Sequence, residues 1–370
     1  MKSFQVSYHL TLFEEETIDS KIEQICLEQS VELPRTVIAG DIAENVVGEP
    51  VEKNQLSEDV YEVTIRWALM NIGHDITAFL NLLYGNISLK PGIRIDWVEW
   101  QQLPENLFKG PSLGIKGLRE QYDIYDRPLS STALKPLGSN PDKLGYLCYH
   151  FAKGGIDIIK DDHNLMNQKY APFRKRVESC VAAVHKAADE SGYRARYFAN
   201  VTADGPELLK RYRQAAELGA DGVLVCPHIC GLPGLHELRE AELSLPIMAH
   251  PSFSGTMVNK NNEGFAPAFL YGQLWRALGA DVAIYPNVGG RFSFSLSQCE
   301  AINEAARTRT EEWPYQAVFP APAGGLKLTN IEKWKNAYGP DTVFLMGGSL
   351  YEYPDGIEQA AYKFSEILER

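Results

Sequence analysis

Apolar and polar residues alternate one by one over residues 3–12, where Phe4, Val6, Tyr8, Leu10 and Leu12 fall on one side. This period of two predicts a half-buried strand. Ile22, Ile25 and Cys26 then recur at helical spacing and predict a helix over residues 17–29. Val60–Trp67 and Ile93–Val98 read as further strands, with a helix between them over residues 74–85 on the face of Ile76, Phe79, Leu80 and Leu83. Strands and helices interleaved on this scale predict a small α+β domain. It is expected to end in the Pro- and Gly-rich stretch Leu103–Leu118.

From residue 130 strands and helices alternate regularly. Strands are predicted near 131–134, 156–160, 195–201, 222–226, 245–249, 282–285, 317–320 and 343–346. Amphipathic stretches separate them, including Phe173–Ser191, Glu207–Gly219, Leu270–Leu278, Ser297–Arg307 and Asn330–Tyr338, and Ile357–Leu368 closes the chain. Eight strand–helix units over about 240 residues match a TIM (β/α)8 barrel, with a doubly wound open sheet as the competing arrangement. Polar or glycine residues just after each strand favour the barrel, because its active-site loops share one rim. The expected organisation is therefore α/β, with residues 1–115 as the α+β N-terminal domain and residues 116–370 as the barrel.

Composition narrows the function classes. Apolar content of 45% and charged content of 23% fit a soluble globular enzyme. A formal net charge of -12 argues against nucleic acid or an anionic membrane as partner. Cys26, Cys148, Cys180, Cys226, Cys230 and Cys299 are scattered through mostly apolar segments without the spacing of a zinc site. No apolar run is long enough to span a bilayer, and the expected location is the reducing cytoplasm.

The densest chemistry lies in Gly154–Asn164. Ile156, Ile158 and Ile159 make a short buried strand that ends abruptly in Lys160, Asp161, Asp162 and His163. A strand buried on both faces has no reason to finish this way unless its end opens onto a site. Period two turns Lys160 and Asp162 to one side and Asp161 to the other. Mg²⁺ takes oxygen ligands, which an ammonium cannot supply. A carbamate formed from Lys160 and CO₂ would supply them.

Other strand ends carry further candidates. Lys135 follows the first barrel strand, where a desolvated amine can shuttle protons. Asn200, Thr202 and Asp204 follow the third, as substrate-orienting groups or, for Asp204, as a helix cap. His228 and His250 follow the fourth and fifth, His228 reading equally well as a structural histidine, and Arg291 lies beyond the sixth. Gly324-Gly325 and Gly347-Gly348 follow the last two strands, where barrels commonly bind phosphate with backbone N–H groups.

Gly-Gly-x-Asp-x-x-Lys-Asp-Asp closely resembles the metal-site signature of the RuBisCO large-chain superfamily. The resemblance implies a ferredoxin-like N-terminal domain before the barrel, and Mg²⁺ held by a carbamylated Lys160, by Asp162 and by the residue at the third ligand position. That residue is His163, where the family usually has glutamate. Lys135 matches the family's proton-handling lysine in Lys-Pro-x-x-Gly, and His250 a histidine near the substrate. Glu28 and Asn86 match segments that enter a neighbouring subunit's site, which implies a homodimer with shared active sites or a higher oligomer of dimers.

Three departures point away from CO₂ fixation: Leu137 replaces a lysine, Pro251 replaces a phosphate-binding arginine, and the loop carrying Arg291 lacks the lysine that closes over CO₂. They resemble a RuBisCO-like protein (form IV) acting on a small sugar phosphate. The first expectation is a lyase of carbohydrate metabolism, decarboxylating a substrate like the 3-oxo-isoapionate 4-phosphate of the apiose pathway, with Arg291 on its carboxylate. The alternatives are a methylthiopentulose-phosphate enolase or isomerase of methionine salvage, and a non-catalytic sugar-phosphate-binding scaffold.

Overall fold

The computed structural model describes residues 2–292, 294–310 and 313–369. Four strands come first: β1 (Ser3–Thr11), β2 (Glu49–Ser57), β3 (Val60–Ala68) and β4 (Ile93–Val98). Next are β5 (Leu129–Leu134), β6 (Ile158–Asp161), β7 (Arg196–Asn200), β8 (Gly222–Val225) and β9 (Ile247–Ala249). A two-residue β10 (Gly264–Phe265) precedes β11 (Val282–Pro286), β12 (Phe319–Ala323) and β13 (Val343–Leu345).

The chain forms two compact units. One comprises the chain through Lys109 together with Ser254–Leu270 and Arg309–Pro314. Its sheet runs β10-β4-β1-β3-β2, with β1 antiparallel to both β3 and β4. With helices Ile18–Glu28 and Ile76–Tyr84 this gives the βαββαβ order of a ferredoxin-like fold. Phe4, Val6, Tyr8 and Leu10 are fully buried, as their alternation predicts. The edge strand β2 is almost wholly exposed and carries Glu49, Glu52 and Lys53. No buried face imposed an alternation on it, so its sequence gives no strand signal; charges on such an edge discourage pairing with another chain.

The second unit comprises Gly110–Phe253, Tyr271–Thr308 and the chain from Tyr315. In it β5, β6, β7, β8, β9, β11, β12 and β13 close into a parallel barrel. Every barrel strand contributes to one apolar cluster: Leu129, Ile158, Phe198, Leu224, Met248, Val282, Phe319 and Val343, with Ile284, Ala321 and Leu345 as second residues from β11, β12 and β13. Ile115, Leu118 and Tyr122 of the helix Gly114–Tyr122 join this cluster. With that end filled, the polar strand ends lie at the other rim, where barrel active sites form.

The expected stretch Leu270–Leu278 is a π-helix over Ala268–Leu274 running into the α-helix Trp275–Leu278. All six cysteines are unbridged. Among the described residues no helix is long and apolar enough to cross a membrane.

A repeat braces the filled end. Gly155-Ile-Asp157, Gly219-Ala-Asp221, Gly279-Ala-Asp281 and Gly339-Pro-Asp341 stand just before β6, β8, β11 and β13. Each glycine has positive φ (85°, 83°, 111° and 75°), which turns the chain from helix into strand. Asp157, Asp221 and Asp281 each accept a backbone N–H from the first or second residue of the preceding barrel strand, from Ser130 (2.6 Å), Tyr197 (3.0 Å) and Ile247 (2.9 Å). Asp281 also accepts from Leu113 and Gly114, both at 2.8 Å. Asp281→Ala would leave these N–H groups buried without partners. The expected cost is about 3–5 kcal/mol, read as a lower urea midpoint at unchanged slope.

Candidate active site

The site starts from the end of β6. Asp161 points out of the barrel and is fully buried, accepting from Arg176 Nε (2.9 Å), Tyr197 Oη (2.8 Å) and the Asn200 backbone N–H (2.9 Å). With Asp161 fixed outward, the pleat turns Lys160 and Asp162 inward, as period two predicts.

Lys160 is buried, and its Nζ donates to the Asp161 carbonyl at 3.1 Å. Burial lowers its pKa to about 8; the nearby Asp162 carboxylate pulls the other way, and the Lys135 charge adds to the fall. A share of this amine is therefore neutral near neutral pH, the form that reacts with CO₂.

Asp162 is buried too, and Lys135 Nζ donates to its Oδ2. Burial alone would raise its pKa, but the Lys160 charge, the Lys135 hydrogen bond and the Asn164 N–H (3.0 Å) outweigh it and hold the carboxyl below its ordinary value. The Lys135 backbone N–H donates to Tyr351 Oη (2.8 Å), which donates in turn to the Ala133 carbonyl (2.9 Å). Tyr351 thus clamps the end of β5, a role that no local pattern around it reveals.

His163 Nδ1 lies 3.3 Å from Asp162 Oδ1, and its ring stacks on that of His250 with centroids 4.3 Å apart and planes 7° from parallel. His250 Nδ1 accepts the Ser252 backbone N–H at 3.1 Å, so a neutral His250 carries its proton on Nε2. Burial, then the Lys160, His163 and Lys135 charges, holds His250 well below the ordinary histidine pKa. Burial also lowers His163, with Asp162 opposing.

Asn200, a candidate for orienting substrate, braces the loop instead. Its Nδ2 donates to the carbonyls of His163 (2.9 Å) and Asp162 (3.3 Å). Thr202 Oγ1 accepts the Cys226 N–H (2.9 Å), and Asp204 stands at the helix N-cap without a side-chain capping bond. His228 lies 5.9 Å from the Trp275 ring, and burial lowers its pKa to about 4.

The glycine pairs differ. A Cβ on Gly348 would meet nothing within 4 Å, and one on Gly347 only Lys135 Cε, at 3.9 Å. One on Gly325 would run into the backbone of Val288–Gly290 at 2.8–2.9 Å, so Gly325 lets two rim loops touch. Arg291 is exposed, over the ring of its neighbour Phe292 at 5.8 Å. In the N-terminal unit Asn86 Nδ2 donates to Glu28 Oε1 (3.0 Å). Gln29 braces this pair: its Nε2 donates to the Asn81 and Leu82 carbonyls (2.7 Å each) and its Oε1 accepts the Ile87 N–H (3.2 Å).

Whether a divalent cation fits depends on Lys160. Among the described residues no three His, Cys, Asp or Glu side chains are placed to share one. Asp162 and His163 offer two adjacent donors. A Lys160 carbamate would supply the third, and the lowered pKa of the buried amine favours that conversion.

The chain matches the family described as ribulose bisphosphate carboxylase large chain, catalytic domain, over residues 114–365. It is 35% identical over 354 residues to the 5-methylthioribulose-1-phosphate isomerase of Rhodospirillum rubrum, spanning 94% of this chain and 91% of that protein. It is 35% identical over 298 residues to the 2,3-diketo-5-methylthiopentyl-1-phosphate enolase of Geobacillus thermodenitrificans, spanning 80% and 71%. A Rubisco-like protein from Rhodopseudomonas palustris has a crystal structure that superposes with a TM-score of 0.89 at 30% identity, covering 100% of this chain and 98% of that one. These relatives favour the methylthiopentulose alternative and lend no support to the decarboxylase expected first. That expectation rested on the departure at His163 and on Arg291, which lies exposed on its loop and is not tested by the relatives.

The Lys160 pKa makes stability depend on pH. The folded chain releases this proton near pH 8, the unfolded chain near the usual 10.5. Between these values the unfolded state binds more protons, so stability rises with pH, by about 3 kcal/mol across the window. Below about pH 8 the full penalty applies. Lys160→Met is expected to remove that rise and to gain most at neutral pH, as urea unfolding of both proteins from about pH 7 to 10 would report.

Proposed function

The chain belongs to the ribulose bisphosphate carboxylase large-chain family, and within it we propose a RuBisCO-like isomerase acting on a methylthiopentulose phosphate. The reaction moves a proton from the hydroxyl-bearing carbon next to the carbonyl to the carbonyl carbon itself. The observation that carries this reading is the Lys135–Asp162 contact beside the buried Lys160, with the His163–His250 stack at the same strand ends. The end-to-end match to an isomerase supports the choice over the enolase.

Lys135 is the proton carrier. Once its ammonium has passed a proton to water, its Nζ takes the proton from the carbon next to the carbonyl, and the C–H electron pair becomes the new C=C bond. The Nε2–H of His250 donates to the oxygen on which negative charge develops. The ammonium of Lys135 then returns the proton to the former carbonyl carbon, where the C=C pair becomes the new C–H bond. The proton of the adjacent hydroxyl passes to the enolate oxygen and leaves the new carbonyl behind; Asp162 holds Lys135 at the strand end throughout. The backbone N–H groups of Gly324, Gly325, Gly347 and Gly348 receive the phosphate, Gly347 lying beside Lys135 Cε.

Asp162, His163 and a Lys160 carbamate would hold the divalent cation, Mg²⁺ by the family's habit, which supplies Lewis-acid polarisation of the carbonyl. Leu137, Phe253 and Phe292 are 46%, 79% and 77% exposed on the segments after β5, β9 and β11. Apolar side chains there suit a thioether tail. A substrate without a carboxylate gives Arg291 no partner, and it is assigned no role. The exposed Glu28–Asn86 pair is assigned to a second copy's site, which makes a dimer the active unit.

Two experiments test this reading. In D₂O the protein is expected to convert 5-methylthioribulose 1-phosphate with deuterium incorporated next to the carbonyl, followed by NMR. Lys135→Met is expected to lower kcat about 10²–10⁴-fold. No deuterium uptake, with CO₂ release from a 3-oxo sugar-acid phosphate, would replace the isomerase by the decarboxylase. Mixing inactive Lys135→Met with inactive Glu28→Ala protein is expected to restore activity that neither has alone; no recovery after subunit exchange would remove Glu28 from the shared site.

A further inference from the structure

The residues around His163 are arranged as a preorganised nitrogen donor. Its backbone carbonyl, like that of Asp162, is pinned by Asn200 Nδ2. Its ring plane is set by the parallel His250, itself oriented by the Ser252 N–H. Its Nδ1 stands 3.3 Å from Asp162 Oδ1, close enough for both atoms to serve one cation. The other oxygen of Asp162, Oδ2, is occupied by the Lys135 ammonium.

Charge points the same way. With Lys160 as carbamate, the donor set carries two negative charges, one on the carbamate and one on Asp162, because an imidazole ligand brings none. The Lys135 ammonium offsets part of that. Hard Mg²⁺ is held mainly by anionic and carbonyl oxygens, so losing a carboxylate weakens it most. Mn²⁺ and Co²⁺ accept imidazole readily and lose less.

We infer that His163 is an inner ligand of a mixed nitrogen–oxygen site, and that it shifts the cation preference of this chain from Mg²⁺ toward imidazole-accepting transition-metal dications. The inference rests on the proposed cation site beside Lys135 but not on the substrate. Deuterium exchange judges the isomerase reading, and metal binding without substrate judges this one.

The test uses the full chain with Mn²⁺ in bicarbonate buffer. Electron spin-echo envelope modulation is expected to show ¹⁴N coupling to Mn²⁺ in the wild type, retained in His250→Gln and lost in His163→Glu and His163→Gln. Calorimetry is expected to give a Mg²⁺-to-Mn²⁺ ratio of Kd about 10-fold larger in the wild type than in His163→Glu. Absence of Mn²⁺ binding or of nitrogen coupling in the wild type would overturn the inference without any variant. So would coupling that survives in both His163 variants, coupling lost in His250→Gln, or an equal Kd ratio, each of which leaves His163 a hydrogen-bond partner of Asp162.

Discussion

The site depends on a carboxylate that takes no part in its chemistry. Asp161 is bound on the outside of the barrel by Arg176, Tyr197 and the Asn200 amide. A buried ion pair of this kind adds little net stability, since desolvation offsets its attraction, but breaking it leaves an uncompensated charge. Its value here is geometric. A strand that slipped or twisted by one residue would present Asp161 to the interior and send Lys160 and Asp162 outward.

That anchor crowds two amines around a single aspartate. Lys160 lowers its pKa because water is excluded from it and Lys135 is near, while Asp162 stays ionised because both amines favour its anion. The neighbouring imidazoles are pushed toward neutrality by burial and by the same cations. One cluster thus holds an amine that can react with CO₂, a firm anion beside Lys135, and neutral imidazole donors, which suits chemistry next to a carbonyl.

Much of this was legible along the chain. The alternation in Phe4–Leu10 and the isoleucines before Lys160 report a constraint that acts residue by residue, namely which side of a strand meets the core. The strand β2 was not legible, because exposure on both faces removes that constraint. The Gly-x-Asp repeat was present in the letters, yet its meaning lies in bonds from Asp157, Asp221 and Asp281 to strands dozens of residues away. Arg291 lies exposed on the loop after β11, and its sequence neighbourhood alone does not say which anion, if any, it meets.

By itself the sequence determined the barrel, its ferredoxin-like companion and the inward direction of Lys160 and Asp162. The strand–helix units and the inward direction follow from short-range periodicity, and the ferredoxin-like order from the resemblance that the Lys-Asp-Asp stretch carries. Only the tertiary structure decided that Asn200 braces the loop, that Tyr351 clamps β5, and that His163 lies flat against His250. Those contacts join residues from different strand ends, and their partners are chosen by barrel closure, which no window of the chain contains.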